Sequence, residues 1–79
     1  MITEPETHFV SGYKVELEPM RDPNDAERGE WVDCWVTTPS GAYTNSLAVL
    51  DDLGAFDDGP AIPAGVLERV RKLAETAGY

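Results

Sequence analysis

A chain of 79 residues, 42% hydrophobic, with two Trp, three Tyr and two Phe, suits one small domain and is too apolar for a disordered tail. It has no run near the roughly 18 apolar residues of a membrane span. Its opening M-I-T-E-P-E-T lacks the basic and apolar blocks of a secretory leader, and the single Cys34 permits no internal disulfide. Fifteen acids against six bases give a net charge of −9, which disfavours binding to nucleic-acid phosphates or to an anionic membrane.

The acidity is unevenly spread. Residues 1–62 hold thirteen acids against Lys14, Arg21 and Arg28, a net of −10, whereas residues 63–79 hold Glu68 and Glu75 against Arg69, Arg71 and Lys72, a net of +1. A positively charged partner is the natural complement of the first segment. Solubility alone is the competing explanation.

In chain order, residues 1–7 are expected as a flexible lead into a single domain, 1–79. From Phe9, the odd positions Phe9, Tyr13, Val15 and Leu17 alternate with His8, Lys14, Glu16 and Glu18, a strand with its odd side towards the core. Gly12 reads as a bulge and Pro19 as the strand's end. Residues 19–30 form a polar, acidic connection in which Asp22 could cap one helical turn.

Residues 31–38, W-V-D-C-W-V-T-T, read as a second strand, with Val32, Cys34 and Val36 on one side and Trp31, Asp33, Trp35 and Thr37 on the other. P-S-G at 39–41 is a turn, and a third strand is expected through Leu50. The competing reading of 46–53 is a short helix capped by Ser46. An acidic loop, 51–62, is expected to be pinned by Leu53 and Phe56. Pro63 suits the first position of a helix in which Val66, Val70, Leu73 and Ala77 recur at helical spacing, and Gly78 suits its end. The expected fold is therefore α+β: a meander of about three antiparallel strands with one C-terminal helix on one face.

Motifs for chemistry are absent. A calcium loop needs acids at alternating positions and Gly at the sixth. From Asp51 the third position is Leu53, from Asp52 it is Gly54, and from Asp57 it is Gly59, so each register fails. Zinc needs clustered Cys and His, and this chain has one of each, Cys34 and His8. Alternation with Val32 and Val36 buries Cys34, which argues against a nucleophile. No phosphate loop, nucleophile elbow or dinucleotide fingerprint occurs. The expectation is no enzyme, no cofactor and no metal.

What remains is a set of candidate partner-binding residues. Glu16, Glu18 and Asp33 share the outer side of the strands, with Glu30, Asp51, Asp52, Asp57 and Asp58 at the ends. Trp31 and Trp35 lie on that same outer side, where exposed Trp among charges is a binding-anchor signature, unless the N-terminal segment or the loop with Phe56 folds over them.

Small size, acidity, strand–strand–helix order and the ending I-P-A-G-V-L-E-R-V-R-K-L-A-E-T-A-G-Y resemble the small acidic proteins of phages and mobile elements. Among these, the chain most resembles the anti-CRISPR proteins. That resemblance carries no individual residue over. It implies a non-enzymatic inhibitor or DNA mimic, a monomer in the cytoplasm of a bacterial host. Such a protein binds a basic surface of a type I CRISPR–Cas surveillance complex, or its recruited nuclease, and blocks DNA binding or nuclease recruitment. The residues alone leave open a small phage structural or regulatory adaptor, homodimeric through the Trp31/Trp35 face, whose acidity serves only solubility.

Overall fold

The computed structural model describes residues 1–79. Four strands, β1 (Glu6–Val10), β2 (Tyr13–Arg21), β3 (Glu30–Thr37) and β4 (Thr44–Ser46), are followed by two helices, α1 (Leu47–Leu53) and α2 (Ala64–Ala77). The strands form one antiparallel sheet in the order β1-β2-β3-β4. The expected α+β meander with a C-terminal helix is present, with one more strand and one more helix than the sequence suggested.

The extra strand comes from a hairpin at Ser11–Gly12. Both residues have positive φ, 51° and 85°, the backbone that lets a two-residue turn match the twist of its flanking strands. Gly12 is thus half of a turn and not a bulge. Val10 faces Tyr13, His8 faces Val15 and Phe9 faces Lys14. Paired residues share a side of the sheet, so Phe9 lies on the outer side with Lys14. It is 71% exposed, contrary to its expected place beside Val15 and Leu17. β1 begins at Glu6, inside the segment expected as a lead, and the Ile2 amide donates to the Ala77 carbonyl at 2.8 Å.

β2 continues through Pro19 to Arg21, and the register explains why. The two-residue turn makes Val10–Tyr13 a hydrogen-bonded pair, so the N–H groups of odd residues in β2 point towards β1. β1 ends at Glu6, opposite Leu17. A donor at Pro19 would therefore have no strand to meet, and its loss is harmless. Beyond Arg21 the chain forms turns and not the expected helical turn. The Asp22 carboxylate accepts from the Asn24 amide at 2.9 Å and that of Asp25 from the Arg28 amide at 3.2 Å. Such short-range bonds compete with helix.

The third strand stops at Ser46, and the expectation of a strand through Leu50 gives way to the competing helix. The Ser46 hydroxyl accepts from the Val49 amide at 3.4 Å, and Gly54, at φ 65°, closes the helix with its amide on the Leu50 carbonyl. Leu47 and Leu50 are three apart, so a helix turns both inward and a strand would separate them. Both are fully buried. Leu53 is 60% exposed and does not pin the following loop. Phe56 does: it is buried, with its ring 6.3 Å from Tyr13 and 6.4 Å from Tyr43.

The core lies between one face of the sheet and the helices. Val15, Leu17, Val32, Cys34 and Val36 point inward from β2 and β3 and meet Leu47, Leu50, Val66, Val70, Ala74 and Ala77. Burial pushes the Cys34 thiol up to about 12, with the Asp51 carboxylate adding to the effect. The folded chain thus keeps a neutral, inert thiol.

Two predictions follow from this core. Leu50→Ala is expected to cost about 2–5 kcal/mol in urea unfolding, and Leu53→Ala to stay within about 0.5 kcal/mol of the parent. Similar costs for the two would contradict α1. For Cys34, the unfolded thiol releases its proton near 9.0 and the folded one near 12. Its contribution is therefore complete below that window and is lost as pH rises through it. Cys34→Val should show a shallower loss of stability across the window than the parent.

Candidate partner-binding face

The register determines which side chains share the outer face. Lys14 stands opposite Thr37, Glu16 opposite Trp35, Glu18 opposite Asp33, and Met20 opposite Trp31. β1 extends these rows with Thr7 beside Glu16 and Phe9 beside Lys14; β4 extends them with Ser46 beside Trp35 and Thr44 beside Thr37. Both helices pack on the other face, and Phe56 goes with them. The outer face therefore keeps its aromatic residues uncovered by the 51–62 loop, and Trp35 is 43% exposed.

The two tryptophans differ in restraint. Trp31 is half-buried under the guanidinium of Arg28, 3.9 Å from the ring centre, and its indole N–H donates to the Asp33 carboxylate at 3.1 Å. That fixes the ring and orients Asp33. Trp35 makes no side-chain hydrogen bond and presents its face beside Glu16. A half-exposed ring beside a carboxylate suits a contact with the alkyl stem or cationic head of Lys or Arg.

The charges on this face are poorly compensated. Lys14 Nζ lies 3.5 Å from Glu16, and no cation pairs with Glu18. Glu18 sits directly opposite Asp33, and two like charges in that position repel.

The ten sequence-derived residues do not form one surface. Glu16, Glu18, Trp31, Asp33 and Trp35 are together on the outer face. Glu30 has the opposite parity on β3 and stands at the sheet's end, opposite Arg21. Asp51 and Asp52 are on α1, behind the sheet, where Asp51 is engaged by Arg71 of α2. That carboxylate raises the Arg71 guanidinium further above its already high value and ties the two helices together. Asp57 and Asp58 are exposed in the turn after Phe56. Sequence reasoning missed Phe9 and Met20 as members of the outer face. Reading Ser11–Gly12 as a hairpin turn would have found Phe9, and reading Pro19 as harmless would have found Met20.

No group of three or more His, Cys, Asp or Glu side chains is arranged to hold a metal ion. No helix is long and apolar enough to cross a membrane. What the outer face can offer is a rigid array of carboxylates and aromatic rings.

The opposed carboxylates should cost stability. Glu18→Thr is expected to raise unfolding stability by about 0.2–1 kcal/mol at low salt, with the gain shrinking as salt screens the pair. A loss on substitution, measured by urea unfolding at two salt concentrations, would contradict the repulsion. Compared with known proteins, the chain matches no family model, no curated protein and no solved structure.

Proposed function

We propose that this protein is a non-enzymatic inhibitor that occludes a basic, nucleic-acid-handling surface, with the outer face of the sheet as its contact. The observation that supports this reading is the uncovered face that carries Glu16, Glu18 and Asp33 together with two exposed rings, Trp35 beside Glu16 and Phe9 beside Lys14. Carboxylates at strand spacing on a rigid sheet imitate the regular charge of a nucleic-acid backbone. Exposed rings supply the apolar anchor that charge alone lacks.

Size limits how the face is used. Each strand residue covers about 16 Å², so four strands of these lengths present on the order of 400 Å². That is roughly half of the 800 Å² that one partner buries in a standard interface. The contact therefore extends onto the turns at 22–29, which reach the face through Arg28 on Trp31 and add Asp22, Asp25 and Glu27. Taken with the resemblance in size, acidity and element order to anti-CRISPR proteins, the target is the DNA-binding surface of a type I CRISPR surveillance complex. The net charge of −9 steers the approach.

Binding to such a complex is expected to weaken steeply from low to high salt. Reversal of Glu16, Glu18 and Asp33 to Lys should weaken it tenfold or more, as should Trp35→Ala. Reversal of Asp52, Asp57 and Asp58, behind the sheet, should change it far less. Binding indifferent to salt sinks the electrostatic account, and inhibition that survives the first reversal sinks the site. A concentration-dependent dimer that quenches or shifts Trp35 fluorescence would instead assign the face to a second copy.

A further inference from the structure

The largest concavity lies away from that face. It is an open groove of about 590 Å³ between β1 and the C-terminal half of α2. Its apolar surface includes Val10, Leu73 and Ala77, and its polar side chains include His8, Arg69 and Lys72. Arg69 has no carboxylate partner, and Lys72 reaches only Glu68, at 3.8 Å between two exposed side chains. In a chain of net −9 with six basic residues, two of the six line this groove. Glu6, bonded to His8 at 2.9 Å, lines it too, so Arg69 and Lys72 leave the lining at a net +1 in a chain of net −9.

The groove runs beside a free sheet edge. Val10–Tyr13 is the hydrogen-bonded pair next to the two-residue turn, so His8 and Glu6 also spend their amides and carbonyls on β2. By the same alternation, Thr7 and Phe9 point theirs outward, with no neighbouring strand to receive them. No proline or lysine lies within Glu6–Val10 to blunt this edge.

We propose that the free edge of β1 and the adjoining groove bind an extended peptide segment with apolar and acidic side chains on one side, added as a strand next to β1. The peptide backbone would satisfy Thr7 and Phe9. Its inward-pointing side chains would fill the space over Val10, Leu73 and Ala77 and bring carboxylates to Arg69 and Lys72. The groove is open to solvent and lies beside the β1 edge, which suits an extended chain better than a free small molecule, since small-ligand sites bury most of their ligand. A second copy is disfavoured because edge pairing would bring two molecules of net −9 together. Phe9 borders both this surface and the outer face, but the charged residues of the two are separate, Arg69 and Lys72 here and Glu16, Glu18 and Asp33 there, so the two readings fail separately.

The test uses the whole protein and two synthetic octapeptides, Thr-Val-Thr-Glu-Thr-Val-Thr-Glu and the same sequence with both Glu replaced by Lys, titrated under NMR. The acidic peptide is expected to shift resonances of residues 7–10 and 69–77 and to slow amide exchange at Thr7 and Phe9 at least fivefold. Arg69→Glu with Lys72→Glu, both exposed on α2, should weaken it tenfold or more. Reversal of Glu16, Glu18 and Asp33 should not weaken it. No shift at β1 with millimolar acidic peptide, equal binding of the two peptides, or peptide-free self-association that protects Thr7 and Phe9 would each overturn the proposal.

Discussion

Two helices of this length can cover only one face of a four-stranded sheet, and the rest of the molecule follows from that limit. α1 is about 10 Å long and α2 about 21 Å, at 1.5 Å per residue. Both lie on the same side, joined by Asp51 and Arg71. The inner row of β3 is narrow, Val32, Cys34 and Val36, and α2 meets the core with Val70, Ala74 and Ala77. Between these layers Val15, Val36, Leu50 and Val70 are completely buried. Apart from Arg28 over Trp31, the opposite face receives no cover from the chain itself. It must meet water or something else.

What could be read from the sequence tracks how many residues speak for each element. β2 and β3 each alternate over several positions, and α2 repeats its apolar stripe over four turns, so their type and facing are clear from the residues. The parity of those strands alone places Glu16, Glu18, Trp31, Asp33 and Trp35 together. The short elements are harder. A serine–glycine pair looks alike whether it bulges a strand or reverses it, and the outcome depends on whether Glu6, His8 and Val10 find partners across the turn. α1 has one turn of apolar spacing, Leu47 and Leu50, and its choice of helix is made by the core beneath it. Where Asp51, Asp52, Asp57 and Asp58 end up depends on that same packing, which no local pattern encodes.

Carboxylates stand on both sides of the molecule, Glu16, Glu18 and Asp33 on the outer sheet and Asp51, Asp52, Glu68 and Glu75 on the helices, while the exposed cations of α2 gather beside β1 and against Asp51. On the outer face Glu18 stands opposite Asp33, and the core makes no use of either residue. Trp31 joins two parts of the surface. Its indole steadies Asp33, and its ring seats Arg28, so it links the sheet to the neighbouring acidic turns.

The Ser11–Gly12 turn also works as punctuation. β1 can be read in two frames: in one, Glu6, His8 and Val10 face the helices, and in the other, Thr7 and Phe9 do. Inserting or removing one residue at the turn would shift the frame and invert every side chain of the strand. In the alternative frame Phe9 would move from the outer face to the side of the helices. Two backbone angles, at a serine and a glycine, thus decide on which side of the sheet the largest side chain of β1 stands.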